Sequence, residues 1–413
     1  MNLYKQFPPA KDLTARRKEN PGAPPLANGH IHTPYSFSAF KSIEQAFMLA
    51  KEQNIQILGI NDFYVTDGYP EFYEQATTNA IFPLFNVEFM ALDKQLQSEG
   101  IQVNDPANPG RIYFSGKGLN YPLTRSAESD KVIESLREGT NNRTAQMIEK
   151  LNAHFQSVGV DIELNFEWIK TNLAKGLVRE RHVAKAVWVA LSNKYERITR
   201  RLETFHLMFG GRLLSNPENE AEITNEIRNR FLKQGNVAYV EESDDAFINL
   251  ETAIEVIKDS GGIPCYPVLL DDKNGDCTPF ESNWEQMVQF LKERNICCVE
   301  LIPQRNSCEK LSEFVHFFNN NGFIVLFGTE HNTPVMTPLT IHCSNQTDLP
   351  EEIAQIGYEG TCVVAAHQYQ QANGEKGYEG ANKQDWINLG DAVINWYLSE
   401  CSKEIKAEST CSH

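Results

Sequence analysis

Short apolar segments alternate with helical segments in two separate parts of this chain, and this alternation limits its fold more than any other feature. Strand and helix together repeat at about thirty residues per unit, which is typical of βαβ structure. Such alternation predicts parallel strands joined by right-handed crossovers. The first predicted strand ends at residue 32, and the others cover residues 54–60, 82–89, 263–266, 297–302 and 323–327.

Local signals set the ends of several helices between these strands. Ser42 and Gln45 match a capping box, which marks the start of a helix. Apolar residues then recur at helical spacing as far as Ala50. Two glycines at 261–262 end a later helix, because glycine adopts the left-handed conformation that closes a helix. The helix boundaries therefore agree with the predicted strand order.

The middle of the chain does not follow this pattern. Residues 95–235 are polar and mostly helical in their periodicity, and we interpret them as a helical insertion that interrupts an α/β domain. The predicted organisation is an N-terminal arm (1–27), the first part of the domain (28–94), the insertion (95–235), the second part of the domain (236–344) and a C-terminal extension (345–413).

The charge of the chain excludes some functions. Its 413 residues carry a formal net charge of -17. General binding of nucleic acid or of anionic membranes needs a basic surface, so neither is expected. The first residues lack the apolar stretch of a signal peptide, and no segment approaches the ~18 apolar residues of a transmembrane helix. We therefore expect a cytoplasmic protein without a membrane partner.

The nine cysteines carry no sign of a metal or redox motif. None of them forms a C-x-x-C pair, and their number is odd. Cys297 and Cys298 are adjacent, so in a strand they point to opposite faces. We expect buried free thiols in a reducing compartment.

Ligand-type side chains stand at the ends of the first three predicted strands. His30 and His32 are two residues apart, so in a strand they share one face. Asp62 ends the second strand, and Glu88 lies near the end of the third. In a barrel these strand ends meet at one mouth. Two imidazoles and two carboxylates suit Zn, Mn or Fe, although a helix or loop cap for Asp62 and an exposed edge charge for Glu88 remain alternatives.

Other candidates lie further along the chain. His182 stands in the first turn of an amphipathic helix, where a histidine is more often a surface or capping residue. Glu330 and His331 follow the last predicted strand, in what could also be an ordinary loop. Arg305 lies just past the strand at 297–302, where a lone arginine is usually a surface residue.

Together these segments resemble the PHP (polymerase and histidinol phosphatase) family, in the order in which that family carries its motifs. The matching segments are residues 30–36 (H-x-H-T-x-x-S in the family), 61–63 (T-D-H), 86–88 (G-x-E), 179–187 (R-x-H-I-A-x-A-L), 251–267 (a helix and strand ending in A-H-P) and 328–332 (G-S-D-x-H). The resemblance implies a distorted TIM-like (β/α)7 barrel with a helical insertion.

The resemblance also implies a ligand set for divalent metal ions. The first ion would be bound by His30, His32, Glu88 and Glu330. A second would share Glu88 and add His182, but Tyr266 stands where the family has another histidine. The three positions for a third ion hold poor ligands, namely Ser38, Phe63 and Asn332. If His331 rather than Asn332 is in register, the third site gains one ligand and still lacks the others.

The function implied is metal-dependent hydrolysis of a small phosphorylated substrate. Asp62 would orient a ligand histidine or accept a proton, and His331 is the second catalytic candidate. Arg179, Arg181 and Arg305 could clamp a phosphate in bidentate fashion. Tyr266 could ligate weakly or donate a hydrogen bond to the substrate.

Two other functions are compatible with the sequence. Phe63 and Tyr266 at histidine positions favour a degenerate member that binds metal or regulates a partner with little turnover. A hydrolase or lyase acting on a substrate without phosphate is the third, because barrel folds host many chemistries. The oligomeric state is not predicted.

Overall fold

The computed structural model describes residue 4 and residues 7–15, 23–242, 246–271 and 277–411. Its strands are β1 (Ala27–Ile31), β2 (Ile57–Phe63), β3 (Phe82–Leu92), β4 (Arg111–Lys117), β5 (Ile248–Asn249), β6 (Ile263–Pro267), β7 (Cys298–Leu301) and β8 (Ile324–Phe327). The helices before the insertion are α1 (Ala10–Ala15), α2 (Ile43–Glu52), α3 (Tyr69–Asn79) and α4 (Lys94–Ser98). Those of the insertion are α5 (Ala127–Ser157), α6 (Phe166–Asn172), α7 (Glu180–Lys194), α8 (Ile198–Phe209) and α9 (Glu220–Ile227). The remaining ones are α10 (Leu250–Asp259), α11 (Pro279–Ser282), α12 (Trp284–Glu293), α13 (Cys308–Asn320), α14 (Glu351–Ala372) and α15 (Lys383–Cys411).

The strands form a nearly closed barrel. The sheet runs β1-β2-β3-β4-β6-β7-β8, and β5 adds a short parallel pairing to β3. At the remaining gap, His32 N donates to Glu330 O at 2.7 Å and Thr329 N donates to His30 O at 3.1 Å, so the segment after β8 pairs with β1. The predicted α/β barrel is confirmed. Its parallel strands bring their carboxyl ends, with His30 and Glu88, to one mouth.

One barrel strand lies inside the segment predicted to be helical. Strand β4 is antiparallel to both β3 and β6 and joins the two halves of the sheet. The prediction of a helical insertion from residue 95 is wrong at this point. Residues around β4 are polar, and an antiparallel strand has no place in a βα repeat, so the pattern did not reveal it. Because β4 pairs with β3, β3 continues beyond Glu88 to Leu92.

The helices α5–α9 of the insertion bury a core of their own. Apolar side chains of α5, α7 and α9 pack together, among them Met147, Phe155, Val183, Val187 and Ile223. Helix α7 begins next to the mouth of the barrel, with Arg179 as its N-cap residue. The insertion therefore brings a rigid helix terminus to the mouth.

The C-terminal extension is an integral part of the fold. Side chains of α14 pack against the inward-facing residues at the start of the barrel strands, including Ile57, Phe82 and Ile324. Gly360 permits this approach, because a Cβ there would lie 2.1 Å from Val325 O. Helix α14 thus closes the end of the barrel opposite the mouth. None of the helices in the described ranges has the length and apolar character needed to span a bilayer.

Two cysteines are paired, which corrects the prediction of free thiols. Cys308, at the start of α13, forms a disulfide with Cys343, whereas five other cysteines in the described ranges form no disulfide. Cys308 and Cys343 lie 35 residues apart in sequence. The bond ties the start of α13 to the segment that follows β8. Sequence spacing did not suggest the pair, because the two residues meet only once β7 and β8 are in register.

We expect reduction of this disulfide to destabilise the protein. Closing a loop of this length lowers the entropy of the unfolded chain, and its loss costs about 3–4 kcal/mol of unfolding free energy. Urea unfolding with and without dithiothreitol measures the difference. A Cys308→Ser/Cys343→Ser variant should have the lower unfolding free energy of the reduced protein, whether or not dithiothreitol is present. Equal stability of the oxidised and reduced protein would contradict the prediction.

Candidate metal centre and cavity

Two histidines and a glutamate converge at the mouth of the barrel. His30 lies in β1, His32 follows the end of that strand, and Glu88 lies in β3. His30 Nε2 is 3.1 Å from His32 Nε2, and His32 Nε2 is 3.1 Å from Glu88 Oε2. All three side chains are buried. Within the described ranges they form the one group of at least three His, Cys, Asp or Glu side chains whose ligand atoms all lie within 4.8 Å of one another.

The electrostatics of the group fit a divalent cation. Burial raises the pKa of Glu88 to about 8, and it lowers the pKa of His32 well below its ordinary value, with His30 adding to the effect. Glu88 Oε2 is buried and accepts no hydrogen bond. A buried oxygen without a partner is costly, and a bound cation would satisfy it. Two nitrogens bound to one tetrahedral zinc ion would lie about 3.3 Å apart, close to the observed spacing.

A carboxylate fixes the orientation of His30. Glu300 in β7 accepts a hydrogen bond from His30 Nδ1 at 2.8 Å. Lys117 in β4 donates to the other Glu300 oxygen at 2.7 Å. Burial opposes the charge of Glu300, but His30 and Lys117 outweigh it and lower its pKa to about 2. A carboxylate can only accept, so the proton of His30 is on Nδ1 and the lone pair is on Nε2, facing the centre.

Asp62 is linked to His32 through the hydroxyl of Ser36. Its carboxylate accepts from Thr33 N at 2.7 Å and from the Ser36 hydroxyl. Ser36 Oγ lies 3.0 Å from His32 Nδ1. Because the serine proton goes to Asp62, Ser36 Oγ accepts from His32 Nδ1, and the lone pair of Nε2 faces the centre. These two hydrogen bonds would allow Asp62 to orient His32, as predicted, through Ser36. Burial raises the pKa of Asp62 to about 7, against hydrogen bonds from Ser36 and Thr33 that lower it.

A cavity of about 730 Å³ opens above the centre. Glu88 lies at its base, and helices of the insertion form one wall. Basic side chains are concentrated in this lining: Arg111, Arg143, Arg179, Arg181, Arg228, Lys233 and Arg305. Several are paired with acidic groups, as Arg143 and Arg228 are with Glu180. The lining therefore offers an anion fewer free cations than the number of arginines suggests.

Arg179 lies in the cavity lining with a guanidinium donor available to an anionic ligand. Its guanidinium lies over the Phe63 ring, 3.7 Å from the centroid, and Phe63 in turn stacks on His32. Arg179 Nη1 is buried and makes no hydrogen bond. The aromatic ring holds the guanidinium next to the metal centre without occupying its donors, so a donor is left for a ligand.

The other predicted arginines have partners. Arg181 donates to Asn225 Oδ1 at 2.9 Å, and burial lowers its pKa to about 10. Arg305 pairs with Glu330. Burial opposes the charge of Glu330, but Arg305 and the two imidazoles outweigh it and lower its pKa. Glu330 lines the cavity without belonging to the converging group, so its role as an ion ligand stays a prediction.

His182 is buried at the start of α7 rather than exposed. Its Nδ1 accepts a hydrogen bond from Arg179 N at 3.0 Å, which makes it part of the helix cap. Burial, followed by the charge of Arg179, lowers its pKa to about 3. His182 is not in the converging group, so the structure supplies no complete second site among the described residues.

Two predicted site residues point away from the cavity. Both ring nitrogens of His331 are used, Nδ1 with Thr329 Oγ1 at 2.8 Å and Nε2 with Thr337 O at 2.9 Å. The left-handed backbone at Glu330 and His331 turns the ring onto Phe40. These contacts are those of a structural residue, and they do not support the catalytic role predicted for His331.

Tyr266 also has a structural environment. It is buried and donates a hydrogen bond to Glu281 Oε1 at 2.7 Å. Its neighbour Cys265 belongs to the inward-facing cluster, so alternation along β6 directs Tyr266 to the outer face. Tyr266 is not among the residues that line the cavity, so this geometry does not support the prediction that it binds substrate.

Sequence reasoning missed the groups that support the ligands. Lys117 lies in the segment predicted to be a helical insertion, and the only sequence signal for Ser36 is its place in the motif of residues 30–36. Glu300 carried a usable signal, because a charged residue two positions after Cys298 in an apolar strand must face a polar interior.

Comparison with known proteins supports the predicted resemblance. Residues 28–160 match the family model of the PHP domain. An amidohydrolase from Chromobacterium violaceum, solved with bound sulfate and no metal, is 15% identical; the match covers 80% of this chain and 96% of that one, with a TM-score of 0.51. A "putative metal-dependent phosphoesterase" from Bifidobacterium adolescentis is also 15% identical, with 81% and 96% covered and a TM-score of 0.52. No curated protein matches the chain. At such identity the two structures establish the shared fold.

Proposed function

Because residues 28–160 match the family model of the PHP domain, we propose that this chain is a metal-dependent hydrolase acting on a small phosphate ester. The observation that carries the proposal is the buried group of His30, His32 and Glu88, in which Glu88 Oε2 lacks a hydrogen bond. The phosphoesterase from Bifidobacterium adolescentis shares the fold and is named for metal-dependent chemistry.

The ligand set suits one ion of Zn, Mn or Fe. Imidazole and carboxylate are ligands common to these metals. When bound, such an ion would lower the pKa of a water molecule and polarise a phosphoryl oxygen. Glu330 lines the same cavity and is the fourth candidate ligand. A second ion would need His182, whose Nδ1 already accepts a hydrogen bond.

Chain residues would bind and orient the ester. Arg179 offers a free donor on its buried guanidinium and would bind the phosphoryl group. Arg181 and Arg305 lie in the same lining and would contact the remainder of an anionic substrate. The bound sulfate of the Chromobacterium violaceum relative, a tetrahedral dianion like phosphate, is in keeping with an anion site in this fold. Asp62 would hold His32 in its ligand tautomer through Ser36.

The second candidate is a protein that binds an ion and an anion without turnover. Phe63 favours it, because its ring stacks on His32 at a position where the family carries a histidine. Tyr266 favours it too, since it points away from the cavity. The site would then have fewer ligands than its catalytic relatives and would act as a sensor.

An assay of phosphate-ester hydrolysis separates the two candidates. The metal-free protein should be incubated with Zn, Mn or Fe(II) and a panel of phosphate monoesters and diesters. We expect release of inorganic phosphate from a monoester, or of the alcohol from a diester, that requires the ion and stops with EDTA. Ion binding without release from any ester would favour the second candidate, and absence of ion binding would eliminate both.

A further inference from the structure

We propose that the buried Lys117–Glu300 ion pair is a positioning device that holds His30 in the tautomer able to bind an ion. The inference rests on the proposed function, because it concerns the same centre. Neither residue belongs to the converging ligand group. Their effect would reach the ion only through His30.

The pair is fully enclosed beneath the centre. Lys117 is 0% and Glu300 1% exposed. Lys117 lies on the antiparallel strand β4 and Glu300 on β7, and their side chains meet inside the barrel at 2.7 Å. Each carboxylate oxygen of Glu300 has one partner, Lys117 Nζ on one side and His30 Nδ1 on the other. The geometry leaves His30 no choice of tautomer as long as Glu300 is charged.

Stability alone does not explain such a pair. Burying two charges costs several kcal/mol of desolvation per ion, and apolar replacements of buried pairs are often neutral or stabilising. A buried carboxylate next to a ligand histidine has a recognised effect, because it raises the basicity of the imidazole and fixes its orientation. Lys117 Nζ donates to Glu300 Oε1, which leaves Oε2 in place as the acceptor for His30 Nδ1.

Lys117 also orients a neighbouring amide. Asn61 Oδ1 accepts from Lys117 Nζ at 3.1 Å, and Asn61 Nδ2 lies over the His30 ring, 3.0 Å from Nε2 and 3.3 Å from Nδ1. Asn61 Nδ2 is also 3.4 Å from Ser115 Oγ. Lys117 therefore holds two groups that contact the His30 ring, Glu300 at Nδ1 and the Asn61 amide over the ring face.

The test removes both charges together. A Lys117→Met/Glu300→Gln variant keeps the net charge and the approximate volume, so that it should fold. Zinc affinity is measured by titration of the metal-free protein, and tautomers by long-range 1H–15N spectra of 15N-histidine-labelled protein. Loss of supporting groups of this kind weakens metal binding about 10–100-fold. We expect zinc affinity to fall by this factor and the spectra to show a mixture of His30 tautomers. His32, which is held by Ser36, should keep its tautomer and serves as an internal control.

The wild-type protein provides a second test that does not depend on the folding of the variant. His30 should carry its proton on Nδ1, and an Nε2-protonated His30 would overturn the inference. A folded variant with an unchanged His30 tautomer and zinc affinity within about threefold would also overturn it. Failure of the wild-type protein to bind zinc would instead refute the proposed function.

Discussion

Replacement of His32 by alanine should weaken binding of a divalent ion by at least about 100-fold and remove metal-dependent phosphate release. Binding free energies of about 10–16 kcal/mol are shared among four ligands in zinc sites, so one ligand contributes about 3 kcal/mol. His32 Nε2 lies at the middle of the group, 3.1 Å from both His30 Nε2 and Glu88 Oε2. Titration of metal-free protein with Zn or Mn measures the effect.

His331→Ala is the matched control for this experiment. Both residues are buried histidines at the same end of the barrel. The ring of His331, however, hydrogen-bonds Thr329 and Thr337 instead of facing the centre. Its loss should lower the unfolding free energy and leave ion affinity unchanged. A similar loss of affinity in the two variants would show that the assignment of ligands is wrong.

The Arg179→Ala variant should bind phosphate esters about 10–100-fold more weakly while keeping its affinity for the ion. Hydrogen bonds to charged groups contribute about 1.5–3 kcal/mol, which corresponds to this range. Arg179 Nη1 is buried without a hydrogen-bond partner, so its donor is available to the ligand. The expected signature is a raised KM, or a raised Kd for inorganic phosphate if turnover is absent.

Arg200→Ala is the control for charge. Arg200 lies on α8 of the same insertion and is exposed, with Glu203 as its partner. Its removal changes the net charge equally and should leave KM unchanged. Equal effects of the two substitutions would mean that the whole charge of the protein, rather than the position of Arg179, governs anion binding.

The ligands that follow from local pattern were predictable from sequence. His30 and His32 share a face because side chains alternate along β1 and its continuation. Glu88 follows from the rule that parallel strands end at one edge. These inferences need only the periodicity of single elements and their order in the chain, and the structure brings these three residues together.

The supporting groups depend on long-range pairing that periodicity does not encode. Lys117 reaches Glu300 because β4 inserts antiparallel between β3 and β6. The apolar run in β4, Ile112–Phe114, is only three residues long and stands in a polar segment, so it does not by itself predict a barrel strand. The strand register also determines which face of the barrel Tyr266 occupies, since a shift of one residue along β6 exchanges the inner and outer faces. For His331, two successive residues with positive φ redirect the side chain, and sequence gives little sign of such a turn.

Anomalous diffraction from crystals grown with zinc tests the central claim most directly. Data collected at the zinc edge should show one strong peak at the mouth of the barrel, within about 2.0–2.2 Å of His30 Nε2, His32 Nε2 and a Glu88 oxygen. An empty centre in zinc-soaked crystals would contradict the claim. So would a zinc ion bound by residues other than these three.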